Sequence, residues 1–172
     1  EMQYSALTLD KFLRHAARWH PRAEVVTGRE DGRIDRIGYA SLMERALKTS
    51  AVLGGLGVGK GDRVATLAWN SQAHVESWYA IMGMGAVCHT LNPRLLAAQS
   101  AAMLRQSGAR VLFVSADLAP LARDIVNEAP SVSHVVVIDG PAEGLAPFAG
   151  GVPVVGMDAA VAAGHGEVEW GG

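Results

Sequence analysis

Apolar and polar positions recur along this chain with two different periods, and the changes from one to the other divide it into elements. From Thr8 to His20, Leu9, Phe12, Leu13, Ala16 and Ala17 fall on one helical face, and Pro21 ends the run. Ala23 to Arg29 and Arg33 to Tyr39 are β-prone and flank Glu30-Asp31-Gly32, which predicts a hairpin. Ser41 with Glu44 three residues on has the form of a capping box. Met43, Ala46, Leu47 and Leu53 then carry a helix into Gly54-Gly55 and Gly57. Val64 to Trp69 is an apolar run stopped by Asn70-Ser71. A helical stripe of Val75, Trp78, Tyr79 and Met82 follows, with Gln72, His74 and Glu76 on its polar side. Gly83 and Gly85 mark the next change, and Ala86 to Leu91 is a second strand closed by Asn92-Pro93. A helix between two such strands is long enough to cross over, so the unit reads as βαβ with parallel strands.

The same alternation continues. Leu95 to Gln106 is Ala-rich and helical up to Gly108, and Arg110 to Val114 is a third strand. Asp117 is placed to cap the next helix, with Pro120 in its first turn, Leu118, Leu121, Ile125 and Ala129 as its buried stripe, and Pro130 beyond it. Ser133 to Ile138 is a fourth strand. Strands starting near Val64, Ala86, Arg110 and His134 at a nearly constant interval predict an α/β fold: parallel β-α units with flanking helices and an N-terminal hairpin. Beyond Asp139, Gly, Pro and Ala dominate, and only Val152 to Val155 and Asp158 to Ala163 look ordered. Residues 1–139 therefore read as one α/β subdomain and 140–172 as a connector towards further structure.

Composition narrows the function classes. Almost half of the 172 residues are hydrophobic, enough for a real core. Ten Lys/Arg and seven Asp/Glu are interleaved before Gly61, and no Lys or Arg follows Arg123, which argues against a nucleic-acid groove. The single cysteine, Cys88, excludes an internal disulfide. No run is long enough for an integral membrane segment, and the N-terminus lacks a signal pattern, so the cytoplasm is the expected location. The chain opens on Glu1-Met2, which leaves room for a natural start upstream.

Candidate chemistry is sparse. Gly54 to Gly61 nearly spells a phosphate-binding loop, but Gly61 stands where Ser or Thr should follow Lys60. The stretch also runs from a helix into a strand rather than the reverse. Gly83-Met84-Gly85 likewise follows a helix and lacks a third glycine. The six histidines (15, 20, 74, 89, 134 and 165) have no metal-ligand spacing, and His74 reads as solvent-facing. Cys88 reads as a packed thiol, and Trp69, Trp78 and Tyr79 read as core. Ligands of parallel sheets gather beyond the carboxyl ends of strands, which brings forward Asn70, Ser71, His89, Thr90 and Asn92. Asn70-Ser71 also suits a helix cap, and Asn92-Pro93 a turn.

Several segments carry a resemblance to a known family. Leu56 to Ala65 (LGVGKGDRVA), Trp69-Asn70, and His74 through the ending GMGAVCHTLNPRL resemble the N-terminal region of AMP-forming acyl-CoA synthetases, closest in look to the medium- and long-chain fatty-acid CoA ligases of the adenylate-forming superfamily. Tyr39 to Leu42, Ala109 to Val114 and Val135 to Val137 agree in order, so the resemblance spans roughly Leu7 to Asp139. It implies activation of a fatty acid by ATP to an acyl-adenylate, then transfer to coenzyme A, with Mg offsetting phosphate charge. The family's phosphate loop, expected beyond Trp170, is absent, as are its nucleotide-binding segments and C-terminal domain, so no catalytic, cofactor or metal role is carried over. Trp69, Asn70, His89 and Asn92 are candidates for the acyl or CoA side of a pocket completed by the remainder of the ligase chain. The chain alone is expected to be inactive, to bind no cofactor tightly, and to self-associate as a homo-oligomer through uncovered surface. The alternative is a stand-alone binding or interaction module on the same fold. A free-standing nucleotide-binding enzyme is the weakest reading.

Overall fold

The computed structural model describes residues 6–143, 145–164, 166 and 168–171; Glu1-Met2, His165 and Gly172, singled out above, lie outside them. α1 (Leu9–Trp19) precedes an antiparallel hairpin of β1 (Glu24–Gly28) and β2 (Ile34–Gly38), in register from Glu24 opposite Gly38 to Gly28 opposite Ile34. After α2 (Tyr39–Gly55) come β3 (Arg63–Leu67), α3 (Gln72–Gly83), β4 (Val87–Leu91), α4 (Ala97–Ser107), β5 (Val111–Ser115), a 3₁₀ turn at Ala116–Leu118, α5 (Ala119–Asn127) and β6 (His134–Ile138). Within 140–172, the two stretches read as ordered form β7 (Val154–Gly156) and α6 (Met157–Ala163).

Five strands make one parallel sheet in the order β4-β3-β5-β6-β7. Period-two alternation gives it two apolar faces. Ala65, Leu67, Leu112, Val114, Val135 and Val137 pack with Leu104 of α4 and Ile125 of α5. Val64, Val111, Phe113, Val136 and Ile138 pack on the other face with Leu53 of α2, Ile81 of α3 and Met157 of α6. β5 is buried along its whole length, as a central strand covered on both faces must be. The fold class is the α/β arrangement read from the sequence.

Some local readings need correction. Ser41 is no cap: α2 starts at Tyr39 after Gly38 without a side-chain cap, and Glu44 instead accepts from Lys48 at 2.6 Å, one turn on. Asp117 sits in the 3₁₀ turn, and Leu118 precedes α5. Leu9 and Phe12 are exposed although Leu13 is fully buried, because α1 lies on α2 and α3 along a narrow line. On α3 the buried set is His74, Glu76, Ser77, Ala80, Ile81 and Gly83, while Val75, Trp78, Tyr79 and Met82 are only half-buried. The reason is that α3 is wedged between α2 and the sheet. Small residues permit the close approach, and the three polar ones, His74, Glu76 and Ser77, each have a hydrogen-bond partner.

Candidate functional site

The chain reverses its direction of travel across the sheet at β3. From β3 it steps outward to β4, then returns to β5 on the other side and moves on through β6 to β7. A crevice outside the carboxyl ends of the strands at such a reversal is the usual ligand position in open α/β sheets. Here that is the gap between the ends of β3 and β5. Trp69 bridges it: its backbone N–H donates to Ser115 Oγ at 3.2 Å, and its indole Nε1 donates to Asp117 Oδ2 at 2.7 Å. Trp69 is thus not core, since 44% of it is exposed. Asn70 beside it is exposed, and Ser71 caps α3, its Oγ accepting from the His74 N–H at 3.3 Å.

The other two candidates lie apart. Asn92 is exposed beyond β4, where its Oδ1 accepts from the Arg94 N–H at 2.9 Å and closes a turn. His89 is half-buried, with Nδ1 3.0 Å from Ser107 Oγ at the end of α4, and burial lowers its pKa. Ser107's carbonyl in turn accepts from Arg63 at the start of β3, so His89 faces the opposite end of the strands from Trp69 and Asn70. Of the four, the structure brings together Trp69 and Asn70.

Next to the α3 cap lies a polar cleft of about 570 Å³ between the hairpin, the start of α3 and the end of β6. Asp139 is its pivot. It follows β6 in a left-handed conformation, φ 58°, which few residues other than glycine adopt. It is held there by two partners: Arg29 Nη1 donates to Oδ1 at 3.1 Å, and Ser71 Oγ donates to Oδ2. Arg29 also pairs with Asp35 across the hairpin at 2.6 Å. Deeper in, Glu76 is fully buried and accepts from Arg45 at 2.6 Å and from Thr49 Oγ1 at 2.7 Å, while Arg45 also reaches Asp158 of α6 at 2.6 Å. Burial raises the Glu76 carboxyl pKa, against the lowering by Arg45 and Thr49.

His74 is buried, not solvent-facing. Nδ1 lies 3.1 Å from the Trp69 carbonyl and Nε2 2.9 Å from Thr66 Oγ1. A carbonyl only accepts, so the proton sits on Nδ1 and Nε2 accepts from Thr66. Burial lowers the ring's pKa and favours this neutral form. Sequence periodicity missed His74, Glu76 and Asp139.

Arg29 and Arg45 are each occupied by carboxylates, and the described residues contain no group of three or more His, Cys, Asp or Glu able to hold a metal. The Gly54 to Gly61 stretch is the turn from α2 to β3, with the Gly59 N–H donating to Asp62 at 2.9 Å. Among the described residues, the donors around this cleft are therefore already engaged with one another and are not arranged to take magnesium or a nucleoside triphosphate. Burial pushes the Cys88 thiol up to about 11.

The family model described as "AMP-binding enzyme" matches residues 12–158. A long-chain-fatty-acid–CoA ligase of Thermus thermophilus is 42% identical over 138 residues, 80% of this chain and 26% of that protein. A 3-methylmercaptopropionyl-CoA ligase of Ruegeria lacuscaerulensis is 36% identical over 141 residues, 82% of this chain and 26% of that protein. The chain thus spans about a quarter of the length of these curated relatives. An anthranilate CoA ligase solved with anthranoyl-AMP shares the fold at a TM-score of 0.77 and 22% identity, over 96% of this chain and 29% of that one.

Proposed function

The chain belongs to the AMP-binding enzyme family, and from that premise we propose that it is the N-terminal portion, 1–139 and a connector, of a fatty-acid CoA ligase. The full enzyme would join a carboxylic acid to coenzyme A at the expense of ATP, releasing AMP and pyrophosphate. The observation that carries this is the 42% identity to a long-chain-fatty-acid–CoA ligase over 138 residues. We assign the chemistry of ATP, coenzyme A and magnesium to the remainder of the ligase chain, since the two arginines of the cleft, Arg29 and Arg45, are already paired with Asp139 and Glu76. Transition-state stabilisation needs such groups aimed at the reacting phosphates. In this proposal the portion supplies a floor: the end of β3 presents Trp69 and Asn70 at the edge of the acyl or CoA pocket, while Asn92 closes a turn beyond β4 and His89, at the other end of the strands, stands outside that pocket. We place the enzyme in the cytoplasm; no helix among the described residues is long and apolar enough to cross a membrane.

A second reading concerns the acid. Similarity to a 3-methylmercaptopropionyl-CoA ligase is nearly as high, which favours a short thioether acid as an alternative to a fatty acid. The test is AMP release by the full-length protein with ATP, coenzyme A and a graded series of acids. The proposal expects kcat/KM to peak at a medium or long chain. A peak at the short thioether acid selects the second reading, and no acid-dependent AMP release contradicts both.

A further inference from the structure

One apolar side of α1 is left uncovered by the described residues. Leu9, Phe12, Ala16 and Trp19 recur at i, i+3, i+7 and i+10 and so share one side of the helix. The structure turns Leu13 and Asp10 inward instead, and Leu9, Phe12 and Trp19 remain 47%, 50% and 63% exposed. Leu7, just before the helix, is exposed as well. α1 packs through Leu13 onto α2 and α3, which in turn cover the sheet, so it forms the outermost layer on that face. The tail at Trp170 docks against Leu13 and Arg14, on a different side of the helix from Phe12 and Trp19.

Charge decides what this surface fits. Lys11, His15 and Arg18 run at i, i+4 and i+7 along the adjoining side, and Arg22 follows just beyond the helix; all four are exposed. The one carboxylate of α1, Asp10, is buried and accepts from Arg14 at 3.2 Å. The Arg18 guanidinium lies 5.3 Å from the centre of the Trp19 ring, which sets a cation and an aromatic side by side. Apolar and aromatic side chains on one side of a convex helix, with cations along the next, match the boundary between acyl chains and anionic headgroups. A second copy fits poorly, because two such basic faces would repel.

We propose that the outer face of α1 is a membrane-surface contact, the helix lying in the plane of an anionic bilayer. Leu9, Phe12 and Trp19 enter the acyl boundary, and Lys11, Arg18 and Arg22 meet the phosphates. The contact is peripheral and reversible, since an eleven-residue helix offers a few apolar side chains and no span. It does not depend on which acid the enzyme takes.

The experiment is co-sedimentation of the full-length protein with vesicles of equal parts phosphatidylcholine and phosphatidylglycerol, and with vesicles of phosphatidylcholine alone. The expected result is binding to the anionic vesicles that weakens as salt is raised. It falls at least about ten-fold in the double variant Phe12→Ser, Trp19→Ser, and about five-fold in Arg18→Gln. These side chains are on the surface, so both variants keep the wild-type melting temperature. Absence of binding to the anionic vesicles would overturn the proposal, as would equal binding to the two kinds of vesicle or binding unchanged in the double variant. Concentration-dependent dimerisation that the double variant abolishes would also overturn it, by assigning the face to a second copy. Failure of the ligase reading is distinct, since it shows as absent acid-dependent AMP release in solution without vesicles.

Discussion

The Cα of Gly83, the last residue of α3, lies so close to Trp170 that a methyl group placed on it would sit 2.4 Å from two carbons of the indole. Trp170 is buried among Leu13, Leu42, Ala46 and Ala80, its Nε1 donates to Ser50 Oγ at 2.8 Å, and Arg14 donates to its carbonyl at 3.0 Å. A residue 87 positions beyond Gly83 thereby ties the tail to α1, α2 and α3.

Gly83→Ala is accordingly expected to destabilise by about 1–3 kcal/mol, the cost of overpacking, despite alanine's better helix propensity. Denaturant unfolding with Trp170→Ala as second background checks it. Because the ring is the obstacle, the alanine penalty disappears when Trp170 is removed.

Asp139 gives a prediction about side chain and backbone together. Asp139→Ala loses two hydrogen bonds to a carboxylate and puts alanine at φ 58°, for a cost of about 2–4 kcal/mol. Asp139→Asn keeps an acceptor and tolerates the left-handed conformation, so its cost is smaller. Equal stabilities of the two variants in urea would contradict this account of the turn.

Glu76 and His74 pull stability in opposite directions with pH. The folded pKa of Glu76 is raised, so its contribution is full below its ordinary value of 4.5 and is lost as pH rises through the folded value. The folded pKa of His74 is lowered, so its contribution is full above 6.5 and is lost as pH falls through the folded value. Glu76→Gln should gain on the wild type as pH rises from the acid side to 8, and His74→Gln should gain on it as pH falls from 7. Chemical denaturation across that range reads both slopes.

Cys88 is expected to be a slow thiol. With a pKa of about 11, its thiolate fraction at pH 8 is on the order of 200-fold below that of a free cysteine. Higher nucleophilicity restores about ten-fold of that. Alkylation by iodoacetamide should therefore run at least about 20-fold slower than for a model thiol, and burial slows it further. A rate equal to the model thiol would contradict it.

The alternation of β-α units was legible because continuous apolar strands and glycine or proline stops are local signals. Gly108, with φ 65°, ends α4 as its sequence position implied. The buried side of α3 was not legible, since a window of sequence cannot show that α2 covers the face carrying Glu76. The same holds for the crevice. Asn70 was marked by its place after a strand and Trp69, otherwise read as core, only by the family resemblance; the Trp69–Asp117 hydrogen bond depends on the order of strands β3 and β5, which no local pattern encodes. His89 was marked by the same rule and faces the other way, because a residue two before the strand end can lean back along the sheet.

The most direct measurement for the central claim is the intact mass of the native gene product that contains this sequence. The account predicts a polypeptide several times the length of this chain, in keeping with relatives of which it matches about a quarter. A native product ending near Gly172 would contradict the ligase reading and leave the fold as a module to be tested for binding partners.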